Sequence, residues 1–198
     1  MSKNILIVGA SGLVGGEILK NLKTTNNDLI LLSRKKLLCE NSINQIVIDF
    51  ENIDSLDASL KVDEIYIAIG QKLSLSELVY IKKNNRKSFV NVDYNYIKKV
   101  AEFAKNCGAN SIGLISAIGA NSKSFNTYLK VKGDVEQEIK LVGYKKIIIA
   151  HPSHLLGKRA GEDIPMNVKV FEQITNLFGL LMIGPLQKFR NVEAKKVA

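Results

Sequence analysis

The sequence has 198 residues, of which 46% are hydrophobic and 24% are charged, and its formal net charge is +9. These values suit one folded domain and exclude a disordered chain. Two cysteines exclude a disulfide framework, and no apolar run is long enough for a transmembrane helix. Because residues 1–3 lead straight into an apolar strand without a signal peptide, we expect a cytoplasmic protein with no membrane partner.

The most informative segment is a predicted strand over Ile5–Val8, a glycine turn, and a predicted helix over Leu13–Leu22. The turn has the spacing Gly9-x-x-Gly12-x-x-Gly15. The first glycine permits a sharp turn, the second lets a pyrophosphate approach the backbone, and the third lets the helix lie close to the strand. We therefore predict a dinucleotide site at this helix N-terminus. A structural turn that binds nothing is the alternative.

Strands and helices alternate along the rest of the chain. Further strands are predicted at residues 29–32, 45–48, 65–69, 112–115 and 147–150, and helices at 96–106 and 126–141. A weaker helix signal covers 76–82, within the polar segment 71–88. This alternation predicts an α/β fold of the Rossmann type, with a doubly wound parallel sheet. Ligands of such sheets bind at the carboxyl ends of the strands.

The turn after the second predicted strand carries Ser33, Arg34, Lys35 and Lys36 and no acidic residue. An NAD site offers Asp or Glu here for the ribose 2′-hydroxyl, whereas hydroxyl and guanidinium groups suit a 2′-phosphate. We therefore predict that NADP(H) is preferred over NAD(H), and that Arg34 pairs with the phosphate. A solvent-exposed basic turn is the alternative.

The ends of the third and fourth predicted strands offer further cofactor contacts. Asp49 is placed to accept from the adenine amino group with Phe50 beside it, or else it caps the next helix. The small segment Ala68, Ile69 and Gly70 is expected to pass close to the dinucleotide, although a tightly packed turn would have the same composition.

A candidate acid–base pair follows the fifth predicted strand. Tyr128 and Lys132 share a helix face, and Ser116 ends the strand before them. We expect the Lys132 ammonium to lower the pKa of Tyr128 from about 10, so that the phenol can protonate a carbonyl oxygen to which Ser116 donates a second hydrogen bond. Tyr94 and Lys98 have the same spacing, but no serine-bearing strand precedes them, and we expect them to be surface residues.

Two histidines, His151 and His154, follow the sixth predicted strand around Pro152. A third ligand at useful spacing is missing, so we predict no metal site. The prolyl turn suits a loop beside the nicotinamide, in which a residue contacts cofactor or substrate or has no special role.

With these features placed, the chain resembles the atypical branch of the short-chain dehydrogenase/reductase superfamily, the NAD(P)H-binding, NAD-dependent-epimerase-like proteins. The resemblance extends to about residue 189. The segments that carry it are Gly9–Gly15, Ser33-Arg34, Asn91–Tyr96, Ser116–Asn121 and Tyr128–Glu136.

The resemblance implies roles for individual residues. The family's serine, tyrosine and lysine fall on Ser116, Tyr128 and Lys132, and its 2′-phosphate contacts fall on Ser33 and Arg34. Its dinucleotide loop falls on Gly9, Ser11, Gly12, Leu13 and Val14.

The loop after the sixth strand departs from the family pattern. The usual Arg-Pro-Gly is here His151-Pro152-Ser153, and we expect His151 and Ser153 to lie at the nicotinamide. The resemblance also implies one domain over residues 1–198, in which residues 155–198 form a small substrate-side lobe.

Two functions remain open at this point. The first is an NADP(H)-dependent oxidoreductase acting on a small carbonyl or alcohol, as a monomer or homodimer. The second is a non-catalytic NADP(H)-binding protein that presents a surface to a partner. Nucleic-acid binding is not expected, because the lysines are spread along the chain and no nucleic-acid motif is present.

Overall fold

Strand β1 lies inside a parallel sheet in the computed structural model, which describes residues 2–39, 43–156, 187 and 190–198. Within these residues the sheet has six strands: β1 Asn4–Val8, β2 Asp28–Ser33, β3 Asn44–Val47, β4 Glu64–Ile67, β5 Ser111–Ile115 and β6 Lys146–Ala150. Their order is β3-β2-β1-β4-β5-β6, and each neighbouring pair is parallel. The predicted Rossmann-type α/β fold is confirmed.

Helices lie between these strands and at the end of the described chain. They are α1 Leu13–Leu22, α2 Leu75–Val79, α3 Lys83–Val90, α4 Tyr96–Asn106, α5 Thr127–Leu141 and α6 Ala194–Val197, with a 3₁₀ helix at Phe50–Ser55 and a π-helical turn at Asn91–Asn95. The predicted bounds of α1 and α4 agree with the structure, and α5 begins one residue later than predicted.

Alternate residues of β1 face opposite layers, since successive side chains of a strand point to opposite faces. Ile5 and Ile7 pack in a cluster with α1 and α6, whereas Leu6 and Val8 pack in a cluster with α4 and α5. All four side chains are buried, so the sheet is covered on both faces as a doubly wound fold requires. Their partners are Val14, Ile18 and Ala194 on the first face and Ile97, Val100, Val135 and Ile139 on the second.

The segment after β4 differs from its prediction. The helix expected at 76–82 is α2, which starts at a capping box between Ser74 and Glu77 and ends where Tyr80 adopts an extended conformation. Helix α3 was not predicted, because its sequence is strongly polar and Phe89 is its buried residue. Helix α3, the π-helical turn and α4 then follow one another without a break.

The end of the chain packs against the first helix. Strand β7, Leu155–Leu156, pairs in parallel with β8, Val192–Glu193, and Ala194 of α6 joins the apolar cluster of α1. Most of the predicted substrate-side lobe lies outside the described residues. Among the helices that are described, none has the length and apolar character needed to span a bilayer.

Candidate functional site

A groove of about 150 Å³ opens at the carboxyl ends of the strands. It is lined by eight residues that the sequence singled out and by two that it did not, Val92 and Tyr96. The eight are Gly9, Ser11, Gly12, Arg34, Phe50, Ala68, Ile69 and Gly70. Such sheets bind ligands at this edge, so this groove is the candidate cofactor site.

A larger cavity, of about 310 Å³, lies near the amino ends of the strands. Its lining includes Asn4, Asp28, Asn44 and Lys61, and it contains none of the glycine loop. Because the glycine loop at the N-terminus of α1 lines the smaller groove and not this cavity, we assign the cofactor chemistry to the smaller groove.

The glycine loop has the geometry that its spacing predicts. Gly9 has a φ of +92°, and a Cβ atom there would lie 2.6 Å from the carbonyl oxygen of Ala68. A Cβ atom on Gly15 would overlap the carbonyl oxygen of Gly9. The amide of Gly12 donates to that same oxygen at 2.9 Å. The loop is therefore folded tightly between β1, α1 and the segment after β4.

The N-terminus of α1 fits the phosphates of a dinucleotide. Its cap is Gly12, which forms no side-chain hydrogen bond, and its first turn has no acidic residue. The amides of Leu13 and Val14 belong to the group that lacks partners within a helix, and the helix dipole adds positive potential there. The Val14 side chain is buried in the core, so its backbone is the part that faces an anion.

At the ribose end, Arg34 is exposed and lines the groove. The hydroxyl of Ser33 is buried and donates to the carbonyl oxygen of Lys35 at 2.7 Å, and its expected contact with a 2′-phosphate stays a prediction. This hydrogen bond stabilises the turn. The exposed guanidinium of Arg34 is the group in the turn that is best suited to pair with a 2′-phosphate.

At the adenine end, the alternative given for Asp49 is the one observed. Asp49 caps the 3₁₀ helix, accepting from the amide of Glu51 at 3.2 Å. The cap engages Oδ1 of Asp49, and the expected adenine contact through this carboxylate stays a prediction. Phe50 does line the groove, as expected.

Sequence reasoning missed Tyr96 as a groove residue. Its ring packs edge-on against Phe50, with 5.7 Å between the ring centroids, and its hydroxyl donates to Glu51 at 2.6 Å. This hydrogen bond to a carboxylate raises the pKa of Tyr96 to about 12, with burial as the next cause. The sequence signal was the segment Asn91–Tyr96, which carried the resemblance without a role for each residue.

The predicted acid–base pair lies on α5, whose N-cap residue is Asn126. The Asn126 side chain accepts from the amide of Leu129 at 3.1 Å and donates to the carbonyl oxygen of Leu78 at 2.9 Å, which ties the helix start to α2. Lys132 is buried, and its Nζ lies 2.8 Å from Oδ1 of Asp93, a residue that the sequence analysis did not assign.

The effect expected of Lys132 on Tyr128 is corrected by the structure. Lys132 does act to lower the pKa of Tyr128, but burial of the phenol outweighs it and the Asp93 carboxylate adds to the upward shift. The net pKa of Tyr128 lies above its ordinary value of 10.0. The phenol packs beside Phe89, with 5.9 Å between the ring centroids. Tyr128 is therefore held as a neutral phenol at physiological pH.

Ser116 lies at the end of β5 with its side chain buried. Its hydroxyl donates to Oε1 of Glu136, and the same oxygen lies 2.9 Å from Nε2 of His151. Tyr128, Lys132 and Glu136 are four residues apart, so α5 presents all three on one stripe. The Tyr-x-x-x-Lys-x-x-x-Glu spacing would have identified Glu136.

The second tyrosine–lysine pair is used to join two helices. Lys98 forms an ion pair with Glu138 of α5 at 2.8 Å, and Tyr94 is hydrogen-bonded to the same carboxylate, which raises the pKa of Tyr94 after the larger effect of burial. These side chains are half-buried rather than fully at the surface. Neither lines the groove.

The loop after β6 does not direct its predicted contacts into the groove. His151 is paired with Glu136, and the hydroxyl of Ser153 donates to the carbonyl oxygen of Arg190. Neither residue lines the groove, so their expected contact with the nicotinamide stays a prediction. In the part of the chain that the structure describes, no three His, Cys, Asp or Glu side chains are grouped to hold a metal ion.

Comparison with known proteins gives relatives of two kinds. No family model matches the sequence. The chain is 32% identical over 165 residues to Protein HTATIP2 of Rattus norvegicus, a match that covers 80% of this chain and 65% of that protein. It is 30% identical over 176 residues to Protein FMP52, mitochondrial, of Lodderomyces elongisporus, covering 80% and 69% respectively. The chain thus spans about two thirds of the length of these relatives.

Solved structures agree on the fold. A short chain dehydrogenase family protein from Francisella tularensis superposes with a TM-score of 0.67 at 16% identity, over 100% of this chain and 88% of that one. This chain therefore belongs to the atypical short-chain dehydrogenase/reductase family of NAD(P)-binding Rossmann proteins that includes HTATIP2 and FMP52.

Proposed function

We propose that this protein is an NADP(H)-dependent oxidoreductase that acts on a small carbonyl or alcohol. One observation carries the proposal: the acid–base pair adjoins the groove. A Cβ atom on Gly70, which lines the groove, would lie 3.7 Å from Nζ of Lys132. Tyr128 is one helical turn from Lys132 on the same face of α5.

The groove residues would hold the dinucleotide as follows. The amides at the start of α1 would bind the phosphates, and Arg34 would bind the 2′-phosphate of NADP(H). The absence of an acidic residue at Ser33–Lys36 supports NADP(H) over NAD(H). Phe50 and Tyr96 would flank the adenine end. When bound, the nicotinamide supplies or accepts a hydride.

The chain's own residues would carry out the proton transfer. Tyr128, as a neutral phenol, would protonate the oxygen of a bound carbonyl, and Lys132 would stabilise the phenolate that forms. The role of Ser116 in this proton transfer is restricted, because its one hydroxyl hydrogen is donated to Glu136. While Glu136 is ionised, Ser116 offers lone pairs rather than a donor to the substrate.

A non-catalytic NADP(H)-binding regulator is the second candidate. The engagement of Ser116 by Glu136 favours it, because the serine is then no longer a free donor for a carbonyl oxygen. Under both proposals we still predict a small-molecule ligand and a monomer or homodimer. We also predict no nucleic-acid partner and no membrane partner. The cytoplasm also stays a prediction, and a relative named as mitochondrial gives the alternative compartment.

Substitution of Tyr128 by Phe tests the choice between them. We would follow NADPH consumption with a panel of aldehydes and ketones, and NADPH affinity in parallel, for wild type, Tyr128→Phe and Tyr94→Phe. The oxidoreductase loses at least about a hundredfold in rate with Tyr128→Phe, keeps its NADPH affinity, and is unchanged by Tyr94→Phe. A wild type that binds NADPH without turning over any carbonyl contradicts the catalytic proposal.

A further inference from the structure

Asp93 has a set of contacts that no sequence motif explained. Its side chain is 1% exposed and that of Lys132 is 7% exposed, and Oδ1 of Asp93 lies 2.8 Å from Nζ of Lys132. Its second oxygen, Oδ2, accepts from the amide of Gln71 at 2.7 Å. Both oxygens of this buried carboxylate are therefore engaged, as a buried charge requires.

These contacts join three separate parts of the fold. Asp93 lies on the π-helical turn between α3 and α4, Lys132 on α5, and Gln71 directly after the groove residue Gly70. A Cβ atom on Gly70 would lie 3.1 Å from Oδ1 of Asp93, so the backbone of the groove wall runs against the carboxylate. A π-helical turn is an irregularity found often at functional sites.

The same carboxylate acts on Tyr128. In the described residues, the charged groups that shift the Tyr128 pKa are Lys132, which lowers it, and Asp93, which raises it. The buried residues of the cluster against which Tyr128 packs are apolar and contribute burial: Ile81, Phe89 and Val131. The Asp93 carboxylate therefore offsets part of the stabilisation that Lys132 gives to a phenolate at Tyr128.

We propose, resting on the oxidoreductase function above, that Asp93 is a positioning residue. It fixes Lys132 against the groove wall and places a carboxylate that opposes the effect of the Lys132 ammonium on the hydroxyl of Tyr128.

The protonation state of Tyr128 matters because the reaction moves a proton as well as a hydride. In reduction, the carbonyl carbon gains a hydride from a reduced nicotinamide dinucleotide, and the carbonyl oxygen gains the proton of Tyr128. The tyrosinate that remains takes a proton from water. Oxidation of an alcohol is the reverse of these steps and begins from the phenolate, so the pKa of Tyr128 sets the pH range in which each direction is fastest.

The test is a titration of Tyr128 without cofactor or substrate. The six tyrosines are labelled with ¹³C at Cζ, and Tyr128→Phe assigns the Tyr128 signal in the NMR spectrum. Asp93→Asn should lower the midpoint of this signal by about one pH unit, and Lys132→Gln should raise it. Glu138→Gln is the matched control, since Glu138 serves the Tyr94–Lys98 pair; it should shift the Tyr94 signal and leave that of Tyr128 unchanged.

A midpoint in Asp93→Asn that equals or exceeds the wild-type value would overturn the proposal. A purely structural Asp93 would change stability or NADPH affinity and leave the midpoint where it is. Because Asp93→Asn leaves a buried lysine unpaired, it risks unfolding. If it unfolds, we would measure the Tyr128 midpoint in Lys132→Gln and in the double variant Asp93→Asn/Lys132→Gln, in which neutral groups replace the buried ion pair. The proposal requires the higher midpoint in the single variant, and equal midpoints refute it.

This titration is independent of turnover. A protein that reduces no carbonyl but shows the shifts contradicts the oxidoreductase function and leaves the effect of Asp93 standing. If the protein is active, Asp93→Asn should move the alkaline limb of the pH profile of carbonyl reduction to lower pH, in parallel with the midpoint of Tyr128.

Discussion

The hydroxyl of Ser116, at the end of β5, donates a hydrogen bond to the carboxylate of Glu136, two helical turns beyond Tyr128 on α5. Both side chains are nearly buried, at 5% and 7% exposure. His151, after β6, lies 2.9 Å from the same carboxylate oxygen. One acidic side chain therefore joins the ends of two neighbouring strands to the helix that carries the acid–base pair.

Removal of this carboxylate should weaken the fold. We expect Glu136→Ala to lower the free energy of unfolding by about 1–3 kcal/mol, because it leaves the buried Ser116 hydroxyl without its acceptor. Gln137→Ala, at the adjacent exposed position, should change it by less than about 0.5 kcal/mol. Urea denaturation of the two variants and wild type measures the difference. Equal effects would show that the Glu136 hydrogen bonds contribute nothing net.

Two adjacent glycines of α1 should respond in opposite ways to alanine. A Cβ atom at Gly15 would overlap the carbonyl oxygen of Gly9, whereas one at Gly16 would lie 3.4 Å from the carbonyl oxygen of Ala10, an ordinary contact. We expect Gly15→Ala to destabilise the protein by about 2 kcal/mol or more and to abolish dinucleotide binding. Gly16→Ala should stabilise the helix by about 0.5–1 kcal/mol.

Thermal unfolding and NADPH titration of both glycine variants check this pair. Normal binding by Gly15→Ala would mean that the loop tolerates the displacement of α1. Weaker binding by Gly16→Ala would show that the second position also needs a glycine.

Alkaline pH should destabilise the protein partly through Tyr96. The folded-state pKa of Tyr96, about 12, lies above the value of 10.0 for an unperturbed tyrosine. This hydroxyl therefore contributes stability that is fully present below pH 10 and is lost as the pH rises toward 12. Tyr96→Phe should reduce the loss of stability between pH 9 and pH 11, as measured by denaturation at each pH. An unchanged loss in this variant would assign the effect to other groups, such as the paired lysines.

The fold could be predicted from the sequence because its signals are local. The apolar strands and the spacing of Gly9, Gly12 and Gly15 are short-range patterns. The apolar runs predicted all six strands of the sheet to within two residues at each end. Helix α3 was not predicted, because its polar sequence has little periodicity and Phe89 is its one buried residue.

The site was less predictable because its contacts are long-range. Asp93 and Lys132 are 39 positions apart, and the π-helical turn that brings them together has no sequence signature. The pKa of Tyr128 was predicted in the wrong direction, because spacing shows a nearby lysine but shows neither burial nor the carboxylate that neutralises it. Spacing likewise did not reveal the hydrogen bond of Ser33 to the backbone of Lys35, whereas the cap formed by Asp49 was one of the two alternatives that the sequence offered.

The most direct test of the account is a calorimetric titration of wild type, Arg34→Ala and Lys36→Ala with NADPH and with NADH. Arg34 lines the groove, whereas Lys36 is an exposed cation of the same turn outside it. We predict micromolar NADPH affinity, much weaker NADH binding, and a loss of about tenfold or more in NADPH affinity for Arg34→Ala alone, as expected for one charge-assisted phosphate contact. If neither nucleotide binds the wild type, the glycine loop is a structural turn and the proposed function is wrong.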